Sequence, residues 1–404
     1  MRSAFGASEL AVAPFVHEMP GVRVVFGAGR IDQVAAEAGR LGGAVLLIAG
    51  RRQVRDADRV AAQLGRRCVG RINEVTEHVP AQIAQQAVDL TRDSGATTVV
   101  CLGGGSAVGL AKAVALELDV AILAVPTTYA GSEQTPIWGR TVAGRKITGR
   151  DGRVLPRTVV YDPTLTVDLP AELSAASGMN AIAHAIEAAY APDASPITAL
   201  LAAEAIGALS AVLPVVVREP GNLPARERAL YGAWLAGTVL GVTTMGLHHR
   251  LAHVIGGSYR LPHAGTHSAL LPHVVAFNAA AARTELSGVA RAAGATGPDG
   301  LGAALFDLAT ATGAPTSLAG LGLPATAIDD VIDHVLVAGF VNPRAVDAAG
   351  LAAGLAALLR DAVDGRRPDV GAGDDGGVDV AGDATVDPPR VQAAADRAAR
   401  RVSA

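Results

Sequence analysis

The sequence predicts an α/β N-terminal domain, Rossmann-like with a parallel sheet, followed by an all-α helical domain. Three observations predict this class. Short apolar, β-rich runs bounded by glycine alternate with helix-period stretches through the first 165 residues. After Leu169 strand signals become scarce, and Ala-rich segments of helical period take over. Between the two regimes, residues 162–170 carry Pro163 and Pro170, which interrupt regular structure.

The strands are expected at residues 22–26, 44–49, 97–102, 120–125 and 158–161. Their runs are nearly continuous rather than alternating, as in a sheet covered on both faces. Helices are expected between them at 31–41, 56–64 and 80–94. The second domain should hold helices at 180–190, 197–213, 225–240, 279–293, 300–312, 325–337 and 348–363. The expected domains are therefore 1–165 and 166–364. Residues 365–404 form a Gly- and Asp-rich tail that buries too little to offset its ordering entropy, and disorder is expected there. A short Arg-rich helix at 391–402 is the one element the tail suggests.

Composition narrows the function classes. The 404 residues are 50% hydrophobic and 18% charged, with a net charge of −4. That balance excludes a wholly disordered chain and argues against nucleic acid as the main partner. Cys68 and Cys101 make no metal or redox spacing, which fits a reducing cytoplasm. No charge-free apolar run is long enough to span a bilayer, and Glu9, His17 and Glu18 make a poor signal peptide. The expectation is a cytoplasmic protein with no membrane partner. Only two of the 34 basic residues are lysines, Lys112 and Lys146, in a chain that otherwise uses arginine.

The apolar run 99–102 leads straight into Gly103-Gly104-Gly105-Ser106 and then a helix-period stretch from Ala107. Strand, glycine turn and helix N-terminus together make a phosphate-binding geometry, although a plain tight turn reads the same way. The next strand ends in Pro126-Thr127-Thr128-Tyr129-Ala130-Gly131-Ser132-Glu133. Two such loops at the carboxyl edge of one sheet favour a dinucleotide, held by Gly103, Gly104, Gly105, Ser106, Thr127, Thr128 and Ser132. The strand at 45–48 ends in Arg51 and Arg52, with no acid to bind a ribose hydroxyl. These arginines suit a 2′-phosphate or a solvated loop, and both NADH and NADPH are expected to serve.

Six of the ten histidines fall between residues 248 and 273: His248, His249, His253, His263, His267 and His273. A seventh, His184, follows Asn180 at i, i+4, as His253 follows His249. The density predicts a shared site. Neutral imidazoles are the usual donors for a divalent metal, but the fourth candidate, Asn180, is a neutral amide and a poor ligand.

Over residues 10–363 the chain resembles the iron-containing (group III) alcohol dehydrogenases. The resemblance rests on Gly103–Ser106, the 127–133 loop, the 178–184 segment and the His249…His253…His263 series. Within that superfamily it is most similar to the maleylacetate reductase branch, through residues 126–139, 144–151 and Gly246-Leu247-His248-His249. The resemblance implies a dehydroquinate synthase-like fold and a homodimer. It implies NAD(P)H-dependent reduction of the carbon–carbon double bond of maleylacetate, a dicarboxylate, to 3-oxoadipate in aerobic aromatic degradation. It places His184, His249 and His263 at former metal-ligand positions. Asn180 and Gly109 stand where metal-dependent members carry aspartates, so no metal is expected. His253 matches the histidine near the nicotinamide, and Lys146 a lysine lining the cofactor site. Lys112 matches a helix lysine whose role is packing or function. His253 and His249 are the leading proton-donor or oxyanion candidates, at least one histidine being protonated, with His184 and His263 shaping the pocket. Arg145 or Arg250 joins Lys146 as a candidate anion holder. The rival readings are a metal-dependent alcohol dehydrogenase, a reductase of another unsaturated oxo-acid, and a catalytically silent nucleotide-binding protein.

Overall fold

The computed structural model describes residues 15–76, 79–142, 145–344 and 348–369. The tail beyond Asp369, including the stretch 391–402, lies outside the described residues.

Six strands form one parallel sheet: β1 (Arg23–Phe26), β2 (Ala44–Ala49), β3 (Cys68–Ile72), β4 (Ala96–Gly103), β5 (Ala121–Pro126) and β8 (Thr158–Tyr161). Helices α1 (Val34–Leu41), α2 (Val54–Leu64), α3 (Ala81–Asp93) and α4 (Gly105–Glu117) connect them. The two faces read out the strand period. Val45, Leu47, Val100 and Leu102 pack with Val34, Ala38, Ala57 and Val60 of α1 and α2. Leu46, Ile48, Val99 and Cys101 pack on the opposite side with Ala84, Val88, Val108 and Ala111 of α3 and α4. Both faces are dry, which is why the strands read as continuous apolar runs.

The strand order is β1-β8-β5-β4-β2-β3. From β2 the chain moves outward to β3, and from β4 it moves back to β5. The direction reverses between β2 and β4, so the crevice beyond their carboxyl ends is the site of choice for a ligand. A two-stranded antiparallel ribbon, β6 (Ile137–Val142) and β7 (Arg145–Arg150), projects after β5.

The helical half holds α5 (Ala171–Ala189), α6 (Pro196–Arg218), α7 (Leu223–Val242), α8 (Leu247–Tyr259), α9 (His263–Asn278), α10 (Arg283–Ala292), α11 (Pro298–Thr312), α12 (Ile328–Ala338) and α13 (Ala348–Asp364). Helix α5 starts well before residue 180. Its first turns contain serines, which blur the hydrophobic period. Ser174 and Ser177 turn their hydroxyls to the carbonyls of Leu169 (3.2 Å) and Leu173 (2.6 Å) and so fit a buried face. Helix α6 has the length and apolarity to cross a membrane, with a mean hydropathy of 2.2. It instead supplies Ala202, Ile206, Leu209 and Leu213 to the main core, and its Glu204 pairs with Arg228 of α7 at 2.8 Å.

Three contacts lock the sheet to the helices. Lys112 of α4 is 1% exposed and donates to the carbonyls of Ser132, Thr135 and Ile137, each at 2.7 Å. This settles its place as a staple of the loop after β5. Arg226 of α7 is fully buried and donates to Ser174 Oγ (2.7 Å), Leu169 O (3.1 Å) and Pro220 O (3.0 Å), fixing the linker before α5. Gly131 has φ +76°, and its Cα lies where a Cβ on Gly237 of α7 would stand, at 2.8 Å.

Alanine in place of glycine inside a helix ordinarily adds about 1 kcal/mol of stability. At Gly237 the added methyl meets only backbone of the 127–133 loop, which cannot swing aside as a side chain would. Gly237→Ala is expected to lose about 2 kcal/mol instead and to weaken dinucleotide affinity. Chemical denaturation and a nucleotide titration check this; a stabilised variant with parental affinity would refute it.

Candidate active site at the junction of sheet and helices

The glycine turn follows from contacts a side chain would break. Gly103 has φ +152°, and a Cβ there would stand 2.9 Å from Ala107 Cβ. A Cβ on Gly104 would stand 2.8 Å from Thr128 Cγ2. The turn therefore lies directly against the second loop, and Thr127 N donates to Gly103 O at 3.1 Å. Gly105 and Ser106 open α4, where first-turn amides have no intrahelical acceptor. The structure thus brings Gly103, Gly104, Gly105, Ser106, Thr127, Thr128 and Ser132 to one edge, beside the topological reversal. Gly109, one turn into α4, faces Val79, whose Cγ2 would stand 3.0 Å from a Cβ at that position.

Arg51 also reaches this edge, but it already has a partner. Its Nη2 donates to Glu74 Oε1 at 2.5 Å, with both side chains largely exposed. Glu74 follows β3 in sequence and supplies the acid that the end of β2 lacks. Lys146 sits in β7 opposite Thr141; the side chains of Lys146 and Arg145 lie outside the described residues.

The histidines converge from three helices. Helix α5 carries Asn180 and His184, α8 carries His248, His249 and His253, and α9 carries His263 and His267. Asn180 Nδ2 donates to His184 Nε2 at 3.1 Å. His184 then has its Nδ1–H for His249 Nε2, at 2.8 Å. His249 in turn has its Nδ1–H for Glu187 Oε2, at 2.5 Å. A donor-only group at one end and an acceptor-only carboxylate at the other fix the direction of the chain. Ala130 O, in the second loop, stands 3.3 Å from the same His184 Nε2, so the cofactor edge lies directly beside the chain. His248 Nε2 and His267 Nδ1 form a second bonded pair at 2.9 Å.

The cluster has layers. His184, His248, His249 and His267 are buried, His253 is half-buried, and His263 is exposed. The His253 and His263 rings stack with centroids 6.1 Å apart, so these two face the accessible side. Within the buried layer His267 links the two layers, with centroids 4.5 Å from His263 and 4.9 Å from His249. His273 does not join. Ten residues after His263 on α9, it turns toward α11 and packs edge-on to Phe306 at 6.3 Å.

One site residue escapes the sequence reading. Glu187 is fully buried, and besides His249 it accepts the amides of Gly246 (3.1 Å), His248 (2.8 Å) and His249 (3.3 Å) at the start of α8. Its spacing of seven from Asn180 and three from His184 was the available signal. His267, four residues after His263, was visible only as one of the dense histidines.

Burial sets the charge states. Desolvation, and then the neighbouring imidazoles, hold His184 and His267 well below the usual histidine range. Desolvation pulls His248 down to about 3. His184, His248 and His267 are therefore held neutral. Glu187 is pushed up by burial, but the His249 hydrogen bond and the α8 amides more than offset this and hold it below the usual carboxylate range.

Known proteins match this architecture throughout. A sequence profile described as iron-containing alcohol dehydrogenase matches residues 21–163. A second, described as the C-terminal part of the Fe-containing alcohol dehydrogenase family, matches residues 174–359. Maleylacetate reductase 2 of Cupriavidus pinatubonensis is 51% identical over 355 residues, covering 88% of this chain and 98% of the relative. The chain belongs to the iron-containing alcohol dehydrogenase family. Crystal structures of maleylacetate reductases from Agrobacterium tumefaciens and Rhizobium sp. strain MTP-10005 superpose with TM-scores of 0.83. They are 44% and 43% identical, and each covers 88% of this chain and 100% of its own.

The metal that names the family does not fit these side chains. Asn180 presents an N–H toward His184 where a ligand would present a lone pair. The ring nitrogens of His184 and His249 are engaged with each other. Among the described residues no three His, Cys, Asp or Glu side chains converge as metal donors.

The neutral histidines make this family member acid-labile. Burial pulls His248 down to about 3 and His273 down to about 4, both below the unfolded value of about 6.5. The unfolded chain therefore binds protons that the native one does not, and stability falls as pH drops below about 6.5. Each such group contributes a loss of about 1.4 kcal/mol per pH unit until its native value is reached. Urea denaturation at pH 7.5, 6 and 5 should show this fall, with a smaller slope in His273→Phe; a flat profile contradicts it.

Proposed function

We propose that this chain reduces the carbon–carbon double bond of maleylacetate to 3-oxoadipate with NADH or NADPH, as a cytoplasmic homodimer without a bound metal. One observation carries the reading. A bonded imidazole chain, ending on a buried carboxylate, lies against the second dinucleotide loop through Ala130 O. It does so in a chain 43–51% identical to relatives named maleylacetate reductase.

The chemistry suits these residues. Hydride from the dihydronicotinamide adds to the alkene carbon, and the alkene electron pair moves onto the conjugated ketone oxygen as an enolate. That oxygen needs a hydrogen-bond donor, and the enolate carbon then needs a proton. His253 and His263 line the accessible side and meet the substrate. His249 and His184 lie directly beneath and hold protons for them. Arg250, one residue from His249 and half-buried, joins Arg145 and Lys146 as holders of substrate carboxylates or cofactor phosphates. Arg51 with Glu74 offers a cation to a 2′-phosphate and an acceptor to a 2′-hydroxyl, which supports use of both nucleotides. Two free thiols support a reducing compartment. Exposed Ile197 and Leu200, one turn apart on α6, support burial against a second copy.

NADH and NADPH oxidation with maleylacetate, run beside simple aldehydes and ketones, tests the reading. Turnover is expected with maleylacetate and little with the others. Exhaustive chelation should leave the rate unchanged; loss with recovery on adding iron or zinc would restore the metal-dependent alternative. His253→Ala should lose about 10²-fold or more in kcat while NADPH still binds, and unchanged turnover would remove His253 from the mechanism.

A further inference from the structure

The order of the strands fixes how a dinucleotide must lie across the site. Its nicotinamide belongs beside the histidines, which meet the sheet at the loop after β5, where Ala130 O faces His184. Its phosphates belong one strand over, at the glycine turn between β4 and α4. The adenosine half then continues in the same direction, over the ends of β2 and β3. The first residues there already approach the turn. A Cβ on Gly103 would stand 4.0 Å from both Gly50 N and Gln53 Oε1. Between those two points the chain makes one tight turn, closed by Gln53 N donating to Gly50 O at 3.0 Å, and it carries Arg51 and Arg52 on its exposed side. Arg51 does not face the ribose position alone. Glu74, two residues beyond the end of β3, accepts from Arg51 Nη2 at 2.5 Å. The two side chains are 78% and 74% exposed, so a ligand can reach both. An ion pair in solvent adds little to stability, and the fold does not depend on it.

We propose that Glu74 sets the choice between the two nucleotides: it keeps the site open to NADH by opposing the 2′-phosphate that Arg51 and Arg52 would otherwise favour. The proposal rests on the nucleotide use assigned above and concerns the adenosine end, away from the hydride. The discrimination is by charge. A ribose 2′-hydroxyl donates to the Glu74 carboxylate and accepts from another N–H of Arg51, whose guanidinium has five. A 2′-phosphate carries a charge of about −1.5 to −2 and, once ionised, mainly accepts. It gains the two arginines, but it meets the like charge of Glu74 and competes with it for Arg51. An acid at the end of β2 would do the same work in one residue. Here β2 ends in cations, and the acid comes from the next strand, so the two opposing preferences sit on separate residues and can be altered one at a time.

Glu74→Gln keeps the shape and removes the charge. Fluorescence titrations with NADH and NADPH, run without any oxo-acid, read the effect directly. In the variant the Kd for NADPH should fall about tenfold and that for NADH should rise about two- to threefold. Added salt should shrink the NADPH gain, because ions screen charges that stand in solvent. As a competitor of NADH, 2′,5′-ADP carries the adenosine half and its 2′-phosphate without nicotinamide, and it should gain by the same factor. With maleylacetate the change should appear in the nucleotide KM and leave kcat within about twofold of the parent. A folded Glu74→Gln protein whose ratio of NADPH to NADH Kd stays within about threefold of the parent overturns the assignment. So does an NADPH gain that 2′,5′-ADP does not share. A parent that binds neither nucleotide overturns the dinucleotide reading and this assignment with it. A parent that binds both and leaves maleylacetate unreduced counts against the reductase reading alone, since the titrations still decide the role of Glu74.

Discussion

One buried carboxylate organises the site. Glu187 is taken wholly out of water, where an unpaired charge costs several kcal/mol. Four donors offset that cost: three amides at the start of α8 and the His249 ring. The same contacts place a negative charge at a helix N-terminus, where the macrodipole favours it. Position and orientation are thereby coupled. The amides fix where α8 begins relative to α5, and the ring bond fixes which nitrogen of His249 faces His184. The remaining histidines of α8 then follow from helix geometry, with His253 one turn beyond His249 and closer to solvent.

The other half of the site is held by glycine contacts rather than charge. Gly104 admits Thr128, and Gly131 admits Gly237, so two loops and a helix meet at backbone distance. Lys112 and Arg226 hold the outer ends of the same region by saturating carbonyl oxygens that burial would otherwise orphan. The cofactor edge and the histidine chain are therefore parts of one packed unit. Ala130 O is the atom where they touch.

The sheet was legible because its strands are buried on both faces, and hydrophobicity alone marks such strands. β3 was not, because it is an edge strand in which Gly70 admits the Leu46 side chain and Arg71 reaches out to Asp58. The β6–β7 ribbon was hidden by its mixed composition, with Gly149 lying under the Trp138 ring. In the site, residue types of restricted chemistry stood out: a triple glycine after a strand, and histidines in a chain that has few. Glu187 did not, since one glutamate on an alanine-rich helix is ordinary until its three-dimensional partners are known. The same holds for Lys112, whose scarcity was visible but whose three carbonyl partners lie 20 to 25 residues away. His273 shows the converse error. Sequence density grouped it with the others, and the helix carried it to a different face.

Asn180 shows how a single oxygen-for-nitrogen exchange changes what the cluster can do. A carboxylate at that position would give the site two buried negative charges, since Glu187 is already present. Two carboxylates among neutral imidazoles suit a divalent cation, which neutralises both. With an amide, no second carboxylate joins Glu187 at that position, and the α8 amides already solvate Glu187. The amide also donates where a carboxylate can only accept, so it sets the direction of the His184–His249 chain. An ordered chain of imidazoles has proton donors at fixed places and needs no Lewis acid to hold its geometry. The helices that a metal would otherwise cross-link are joined here by ring-to-ring hydrogen bonds, α5 to α8 through His184–His249 and α8 to α9 through His248–His267. The His248–His267 bond joins two rings that burial holds neutral.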